Sequence, residues 1–249
     1  SGPRRGMTAK IASASPFIGE LDEGMSGSAS PKDVETLFQL IHLRFTQPRA
    51  DPVIFQTQTT QMKTLMANQA NTPSYAFSVA LAEIIGQNHP RRRLPTAATI
   101  DEWNLDKSMA FYKDRFGDAS DFTFVFVGNL DLAAMKPLVE RYLATLPSIR
   151  RKETWKDIGH RLPTGVITKS VAKGIEPKSQ AAILFSGPFE YTAEQRLAFN
   201  AMTHILQNRL LETIREELGG TYSISASPGI SRYPVSTYTV SISFGADPA

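Results

Sequence analysis

The stretch NRLLETIREELGGTYSIS, residues 208–225, joins a helix to a strand across two glycines, and the fold is inferred from it. Its first part continues an amphipathic helix, which Gly219-Gly220 ends because glycine readily takes the left-handed conformation of a C-terminal cap. Across residues 221–226, β-branched, aromatic and small residues alternate as they do in a strand. Arg215 therefore falls in the last helical turn and Tyr222 at the start of the strand. The turn can bring a cation and a phenol together at a sheet edge.

The segment from Leu210 to Ser223 resembles the arginine–tyrosine segment of the pitrilysin/insulinase family of zinc metallopeptidases. In that family a C-terminal half closes over a zinc-bearing N-terminal half, and an Arg and a Tyr at this spacing reach the substrate near the metal. The resemblance implies that Arg215 and Tyr222 bind peptide substrate. A structural interpretation stays open, in which Arg215 complements the helix dipole and pairs with Glu212 while Tyr222 is a half-buried strand residue.

Length and composition are those of an ordinary globular protein. The 249 residues suit one large or two small domains, and 41% hydrophobic with 20% charged residues is a usual balance. The net charge is only +3, and the basic clusters at 4–5, 91–93 and 150–152 are short and not interleaved with aromatics. We therefore expect no nucleic-acid partner. Without cysteine there is no disulfide or thiolate site, and no apolar run approaches the roughly 20 residues of a membrane span.

Three consecutive helices share one start signal, a capping residue followed by proline. The signals are Ser30-Pro31, Asp51-Pro52 and Thr72-Pro73. The first of these helices has the clearest apolar face, formed by Val34, Leu37, Phe38, Ile41 and Phe45.

Further helices are predicted later in the chain. One runs from Leu105 to Phe116, and another starts at the capping box Thr192–Gln195 and leads to Arg215. A third follows Asp131, but Pro137 is awkward inside it, so its regular part is expected to begin nearer Met135.

Strands are predicted where apolar or alternating residues run together. The segments are Lys10–Ser15, Phe122–Val127, Val166–Val171, Ala181–Phe185, a strand after Tyr222, and Ser236–Phe244. The nearly continuous apolar run of Phe122–Val127 predicts a strand in the middle of a covered sheet. Glu20–Ser30, with its glycines and serines, is expected to be a loop, and Tyr233-Pro234 a turn.

Two short motifs recur in the same order. Ser13-Ala14-Ser15-Pro16 returns as Ser225-Ala226-Ser227-Pro228, and Ala29-Ser30-Pro31 aligns with Ala246-Asp247-Pro248. Both matches are separated by roughly 210 residues, the usual size of a single domain. We interpret this as two copies of one module, with the chain beginning part-way through the first and stopping part-way through the second.

The repeat agrees with the resemblance, because pitrilysin-like proteins are similar to a tandem of homologous α+β modules. Residues 124–131 and 137–143 resemble the strand–turn–helix that closes such a module, and 23–27 the loop before its helical layer. We predict an α+β fold of the pitrilysin/processing-peptidase type, with mostly antiparallel sheets covered by helices and both modules incomplete. Residues 1–149 would be the C-terminal part of one module, 150–164 a linker, and 165–249 the N-terminal part of a second module.

The catalytic motif of that family is absent from this sequence. The motif is His-x-x-Glu-His on a helix, in which two histidines bind zinc and the glutamate activates water. The histidines here are His42, His89, His160 and His204. None is followed by Glu-His, and no two are three or four residues apart, so no zinc site is expected in this chain. Serine triads and phosphate-binding loops likewise lack motif support.

Two hypotheses about function follow. In the first, the chain is the non-zinc-binding portion of a metalloendopeptidase, inactive alone, and zinc and general base come from an N-terminal half or a partner subunit. In the second, it is a non-catalytic structural or interaction subunit that kept the fold and lost the metal. The resemblance implies a bacterial periplasmic or secreted location. A third interpretation, an unrelated α+β binding module, would be contradicted by two copies of one fold.

Overall fold

The structure is a computed structural model that describes residues 11–175, 178–214 and 224–246. In chain order its elements are β1 (Ala12–Ile18), β2 (Glu23–Ala29), α1 (Val34–Thr46), α2 (Pro52–Gln69), α3 (Pro73–Gly86), α4 (Ala97–Asp101), α5 (Leu105–Arg115), α6 (Leu132–Leu138) with a π-helical turn (Val139–Leu143), β3 (Ser179–Pro188), α7 (Ala193–Glu212), β4 (Ile224–Ser231) and β5 (Thr237–Ala246). The strands form two antiparallel sheets, of order β1-β2 and β3-β5-β4. The predicted α+β class is confirmed.

The chain packs as two compact units, each assembled from separated stretches. Unit 1 comprises the chain up to Gln61 together with Thr99–Trp155, and unit 2 comprises Met62–Ala98 together with the chain from Lys156. Helix α2 is divided between them. The predicted division into 1–149, 150–164 and 165–249 concerns homologous modules along the sequence, which this spatial grouping does not address. Those boundaries therefore stay predictions.

The core of unit 1 lies where α1 packs on the β1-β2 hairpin. The apolar face predicted for α1 is buried at Leu37, Phe38, Ile41 and Phe45. The Phe45 ring meets the rings of Phe116 and Phe122 edge-on, at centroid distances of 5.2 and 5.0 Å. Such edge-to-face ring pairs stabilise a core beyond the effect of burying apolar area alone. An aromatic cluster thus joins α1 to the end of α5 and to the segment that follows it.

The prediction of a loop at Glu20–Ser30 is wrong, because Glu23–Ala29 forms β2 and pairs with β1. The glycines that suggested a loop serve close packing instead. A Cβ on Gly27 would lie 2.7 Å from the Ser13 carbonyl oxygen and 2.9 Å from a Leu37 methyl carbon. Strand β1 also continues through Pro16, which lies opposite Met25, since proline is tolerated in an edge strand.

In unit 2, helix α7 packs on the sheet of order β3-β5-β4. The buried residues are Ile224 on β4 with Val240 and Ile242 on β5, and Phe199 of α7 is among the side chains that cover them. The strands predicted after Tyr222 and along Ser236–Phe244 are confirmed as β4 and β5, and Ala181–Phe185 lies within the longer β3. The predicted turn at Tyr233-Pro234 contains a cis peptide bond.

Two predicted strands do not form regular strands. Phe122–Val127 and Val166–Val171 have no ladder partner among the described residues. The prediction that Phe122–Val127 is covered is also wrong, because Val125 is 78% exposed and Val127 93% exposed. An apolar run favours extended backbone, but a strand also requires a neighbouring strand, which local sequence does not report.

The predicted helix starts are mostly confirmed. The Asp51 carboxylate accepts from the backbone N–H of Val53 at 3.1 Å, and the Thr72 hydroxyl accepts from that of Tyr75 at 3.2 Å. Ser30 makes no such cap, and its hydroxyl instead donates to the Asp33 carboxylate at 2.7 Å.

The helix that carries Pro137 begins earlier than predicted. Asp131 caps α6 by accepting from the backbone N–H of Ala133 at 2.9 Å, so the helix starts at Leu132 rather than near Met135. The chain then passes from α6, which ends at Leu138, into the π-helical turn, which begins at Val139.

Asp118 is a fully buried carboxylate that anchors the segment after α5. It accepts from the backbone N–H groups of Ser120 and Ile149 at 3.0 Å each, and of Arg151 at 2.6 Å. Burial alone would raise the pKa of Asp118, but these donors outweigh burial and hold that pKa well below its ordinary value. The carboxylate therefore fixes residues 149–151 against the end of α5.

We expect Asp118→Asn to lower the stability of unit 1 at neutral pH and to make that stability decline less as the pH falls. A carboxyl whose pKa is lower when folded contributes stability above the unfolded-state value of about 3.9 and loses it as pH falls toward the folded-state value. Urea midpoints of the wild type should thus decline below about pH 4, and those of the variant should decline less. Asp121→Asn, at an exposed carboxylate, is the control. Equal acid slopes for the wild type and Asp118→Asn would contradict the assignment.

Candidate functional site

The predicted substrate-binding residues, Arg215 and Tyr222, lie outside the residues that the structure describes. The structure does describe both ends of the segment that contains them. Helix α7 leads into it, and β4 follows it from Ile224. The structure therefore describes the elements that flank the candidate site on both sides.

One side chain links the two flanking elements directly. The amide of Gln207 on α7 donates from Nε2 to the Ile224 carbonyl oxygen at 2.8 Å, and its Oε1 accepts from the backbone N–H of Ala226. Both backbone groups belong to β4, which is an edge strand of the described sheet. Gln207 thus satisfies edge groups of β4 and holds the start of that strand against α7.

Apolar packing supports this link. Ile224, the first residue of β4, is buried, and Leu206 and Leu210 of α7 pack around it. Thr203, one turn before Gln207, is also buried, and its hydroxyl donates to the Phe199 carbonyl oxygen at 2.9 Å. A small residue at this position lets the helix approach the sheet closely.

Sequence reasoning did not single out Gln207. The available signal was its position, because Phe199, Thr203, Leu206 and Leu210 surround it at helical spacing on the face of α7 turned to the sheet. A glutamine on such a face must find partners, since a buried amide without hydrogen bonds costs free energy. The nearest groups in need of partners are those of an edge strand.

We expect Gln207→Leu to destabilise unit 2 by about 1–3 kcal/mol, because two backbone groups of β4 would lose their partners. Asn208→Ala, at the adjacent exposed position, removes an amide that does not face the sheet and should change stability by about 0.5 kcal/mol or less. Urea unfolding of both variants measures the difference. Equal midpoints would show that the Gln207 bridge does not hold the strand.

The histidines form no metal site in the structure. His42, His89 and His160 each direct a ring nitrogen to a backbone carbonyl oxygen, of Tyr142, Ile158 and Ile85 respectively, at 2.9–3.0 Å. The part of the chain that the structure describes contains no cluster of three or more His, Asp or Glu side chains suited to a metal ion. The described residues therefore do not fit a zinc ion.

The basic residues at 150–152 are partly used within unit 1. Arg151 Nη1 lies 3.0 Å from a carboxylate oxygen of Asp114, and its backbone N–H binds Asp118.

Among the described helices, none combines the length and apolar composition that crossing a membrane requires.

Part of the chain matches a known protein family. The family described as "Peptidase M16 inactive domain" matches residues 102–249, more than half of the chain and the whole of the candidate site. The chain belongs to the peptidase M16 inactive-domain family. The predicted relationship to pitrilysin-like zinc proteases is thereby confirmed.

Relatives of this M16 inactive domain are longer proteins. It is 26% identical over 216 residues to the "Probable zinc protease PqqL" of Haemophilus influenzae. The matched region covers 82% of this chain but only 22% of that relative. The periplasmic protease PqqL from Escherichia coli has a similar structure, with a TM-score of 0.81 at 21% identity over 95% of this chain and 26% of that one.

Pitrilysin itself shares the fold. Its crystal structure matches 96% of this chain and 25% of its own, with a TM-score of 0.57 at 15% identity. The chain thus spans about a quarter of the length of each of these three relatives. The fold is that of an M16 inactive domain, and its relatives are named as zinc proteases.

Proposed function

We propose that this M16 inactive domain is the non-zinc-binding C-terminal portion of a zinc metalloendopeptidase, where it closes over the catalytic half and helps to bind peptide substrate. The family match, which spans both Arg215 and Tyr222, is the observation that carries the proposal. The names of the relatives support it, since they describe probable zinc proteases.

Arg215 and Tyr222 would act through hydrogen bonds to the substrate. A guanidinium offers several N–H donors in a fixed plane, and a phenol offers one O–H donor. Directed at a peptide carbonyl, or at the oxyanion that forms when water attacks it, such donors stabilise the developing negative charge. The Gln207 bridge supports this role, because it fixes the strand start that follows the segment.

Zinc and the general base would come from elsewhere, either an N-terminal half of the same protein or a partner subunit. The described residues do not fit zinc, so no catalytic step is assigned to them. We further propose a periplasmic location, because the E. coli PqqL structure is described as that of a periplasmic protease.

The second candidate function is a non-catalytic structural or interaction subunit with the same fold. The family description, "inactive domain", favours it, together with the lack of a metal cluster in the described part of the chain. The two functions differ in the location of His-x-x-Glu-His. Under the first it lies in the rest of the reading frame or in a partner subunit, and under the second it lies in neither.

A peptidase assay tests the proposal. The longer protein from the same reading frame is incubated with zinc and a mixture of unstructured peptides, with this chain alone as the comparison. Cleavage by the longer protein but not by the chain supports the proposal. An inactive longer protein that binds no zinc would favour the structural subunit.

A further inference from the structure

Unit 1 contains a cavity of about 810 Å³ between strand β2 and the extended segment Phe122–Val127. Its base is formed by apolar side chains of α1, including Leu37 and Ile41. One wall is β2 and the other is the extended segment, so the cavity separates two pieces of extended backbone. Such a shape fits a further piece of extended chain.

Both walls present backbone groups that have no partner among the residues that the structure describes. Strand β2 pairs with β1 on one side, and no other strand of the described residues pairs with it. Residues 123–127 make no backbone hydrogen bond within the described part of the chain. The ring of Phe126 nevertheless stacks on Phe38 of α1 at 5.1 Å, while Val125 points away into solvent. The segment therefore alternates like a strand but lacks a neighbour.

The internal repeat indicates what belongs in the cavity. The recurrence of Ser13–Pro16 as Ser225–Pro228 aligns β1 with β4, so the hairpin β1-β2 corresponds to the hairpin β4-β5. In unit 2, β5 carries β3 on its other edge, where Phe185 lies opposite Val240. The corresponding edge of β2 faces the cavity, and no counterpart of β3 lies there among the described residues.

The register and direction of that counterpart follow from the same alignment. Pro16 lies opposite Met25, as Pro228 lies opposite Val240. A strand placed as β3 is placed would therefore run antiparallel to β2, with its equivalent of Phe185 opposite Met25.

The added strand would also run antiparallel to the far wall. Phe126 lies at Phe38, next to Leu37, which is the α1 residue that approaches Gly27 late in β2. At the other end, Phe122 lies beside Phe116, directly after Arg115, and that arginine binds Glu23 at the start of β2 at 3.0 Å. Both walls thus run in the same direction along α1. One strand between them would satisfy both edges.

Unit 2 has the reciprocal gap. A cavity of about 970 Å³ separates β3 from the extended residues 165–171, and α3 forms its base. In unit 1, the segment beyond the missing counterpart of β3 is Phe122–Val127. The cavity of unit 2 therefore lies where the counterpart of Phe122–Val127 belongs, and no described strand occupies that place.

We propose that the cavity of unit 1 is a strand-acceptor site filled by one β-strand from another part of the same polypeptide, outside residues 1–249. The strand runs antiparallel to β2 and directs alternate apolar side chains toward α1. Relatives of about four times this length contain enough polypeptide to supply it. The site does not depend on peptidase activity, so its failure and that of the proposed function are distinguishable.

Hydrogen exchange measured by mass spectrometry tests the proposal on this chain alone and on the longer protein from the same reading frame. In the chain alone, the amides of residues 123–127 should exchange at nearly unprotected rates. In the longer protein, the alternate amides of this segment that face the cavity should exchange at least about 100-fold more slowly, as expected for amides bonded to a neighbouring strand. The amides of β2 that bond β1 serve as the internal reference in both.

Several outcomes would overturn the proposal. Fast exchange of residues 123–127 in the longer protein would do so, as would a reading frame that encodes nothing further. Protection in the chain alone that rises with its concentration would assign the cavity to a second copy instead. A second measurement is the substitution Val125→Pro, which removes one N–H. It should destabilise unit 1 clearly more in the longer protein than in the chain alone, and equal effects would count against the added strand.

Discussion

Under the proposed function, replacing Arg215 by alanine in the longer protein, assayed with added zinc, is expected to lower kcat for peptide hydrolysis by about 10²–10³, the usual cost of losing one donor to a developing oxyanion. If Arg215 contacts only the ground-state carbonyl, KM should rise instead and kcat should stay unchanged. Tyr222→Phe removes a single hydroxyl donor and should also lower kcat.

Two substitutions serve as matched controls for these variants. Arg209→Ala removes an arginine of α7 that is exposed and pairs at 3.4 Å with Glu212, so it should leave kcat and KM unchanged. Tyr191→Phe removes a phenolic hydroxyl from an exposed residue just before α7 and should likewise have no effect. Steady-state kinetics on a fluorogenic peptide, with circular dichroism to confirm folding, makes the comparison.

Normal kinetics for both Arg215→Ala and Tyr222→Phe would contradict the substrate role. A small loss of stability in Arg215→Ala, with normal kinetics, would favour the structural alternative, in which the arginine only stabilises the end of a helix. Because that structural role is worth only about 0.3–1 kcal/mol at an exposed helix end, it predicts no large kinetic effect.

Phe116→Ala is expected to destabilise unit 1 by about 3–5 kcal/mol, the range measured when a buried phenylalanine is replaced by alanine and leaves a cavity. Phe116 is fully buried at the end of α5. Its ring stacks on Tyr112 at 4.6 Å and contacts Phe45 at 5.2 Å, so its removal opens the aromatic cluster. A loss of this size is a large part of the 5–15 kcal/mol that usually stabilises a domain.

Phe111→Ala is the matched control, since Phe111 lies on the same helix and is 56% exposed. It should change stability by about 0.5 kcal/mol or less. Urea unfolding monitored by circular dichroism measures both variants. If Phe111→Ala costs as much as Phe116→Ala, then the aromatic cluster is not the core of unit 1.

Much of the helical structure could be predicted from sequence, because helix signals are local. Asp51 and Thr72 cap the helices that they were predicted to cap, and the apolar spacing of α1 identified its buried face. Each of these features depends on residues three or four positions apart. The family could also be inferred, because the arginine–tyrosine segment and the order of the other motifs resemble those of pitrilysin-like proteins.

The strands were predicted less well, because a strand depends on residues distant in sequence. Glu23–Ala29 has the composition of a loop, yet it forms β2 because its glycines allow β1 and α1 to approach closely. Phe122–Val127 has the composition of a central strand, yet no described strand lies beside it. The candidate site was predicted through Arg215 and Tyr222, whereas Gln207 required knowledge of which strand edge faces α7.

The sequence by itself determined the family, the α+β class, the helix starts and the lack of the zinc motif, since each is written in local patterns of residues. Only the tertiary structure decided that Gln207 holds β4, that Asp118 anchors residues 149–151, and that a cavity separates β2 from Phe122–Val127. The physical reason is that backbone pairing and burial are satisfied across long sequence separations. A residue's neighbours in space are set by the whole chain.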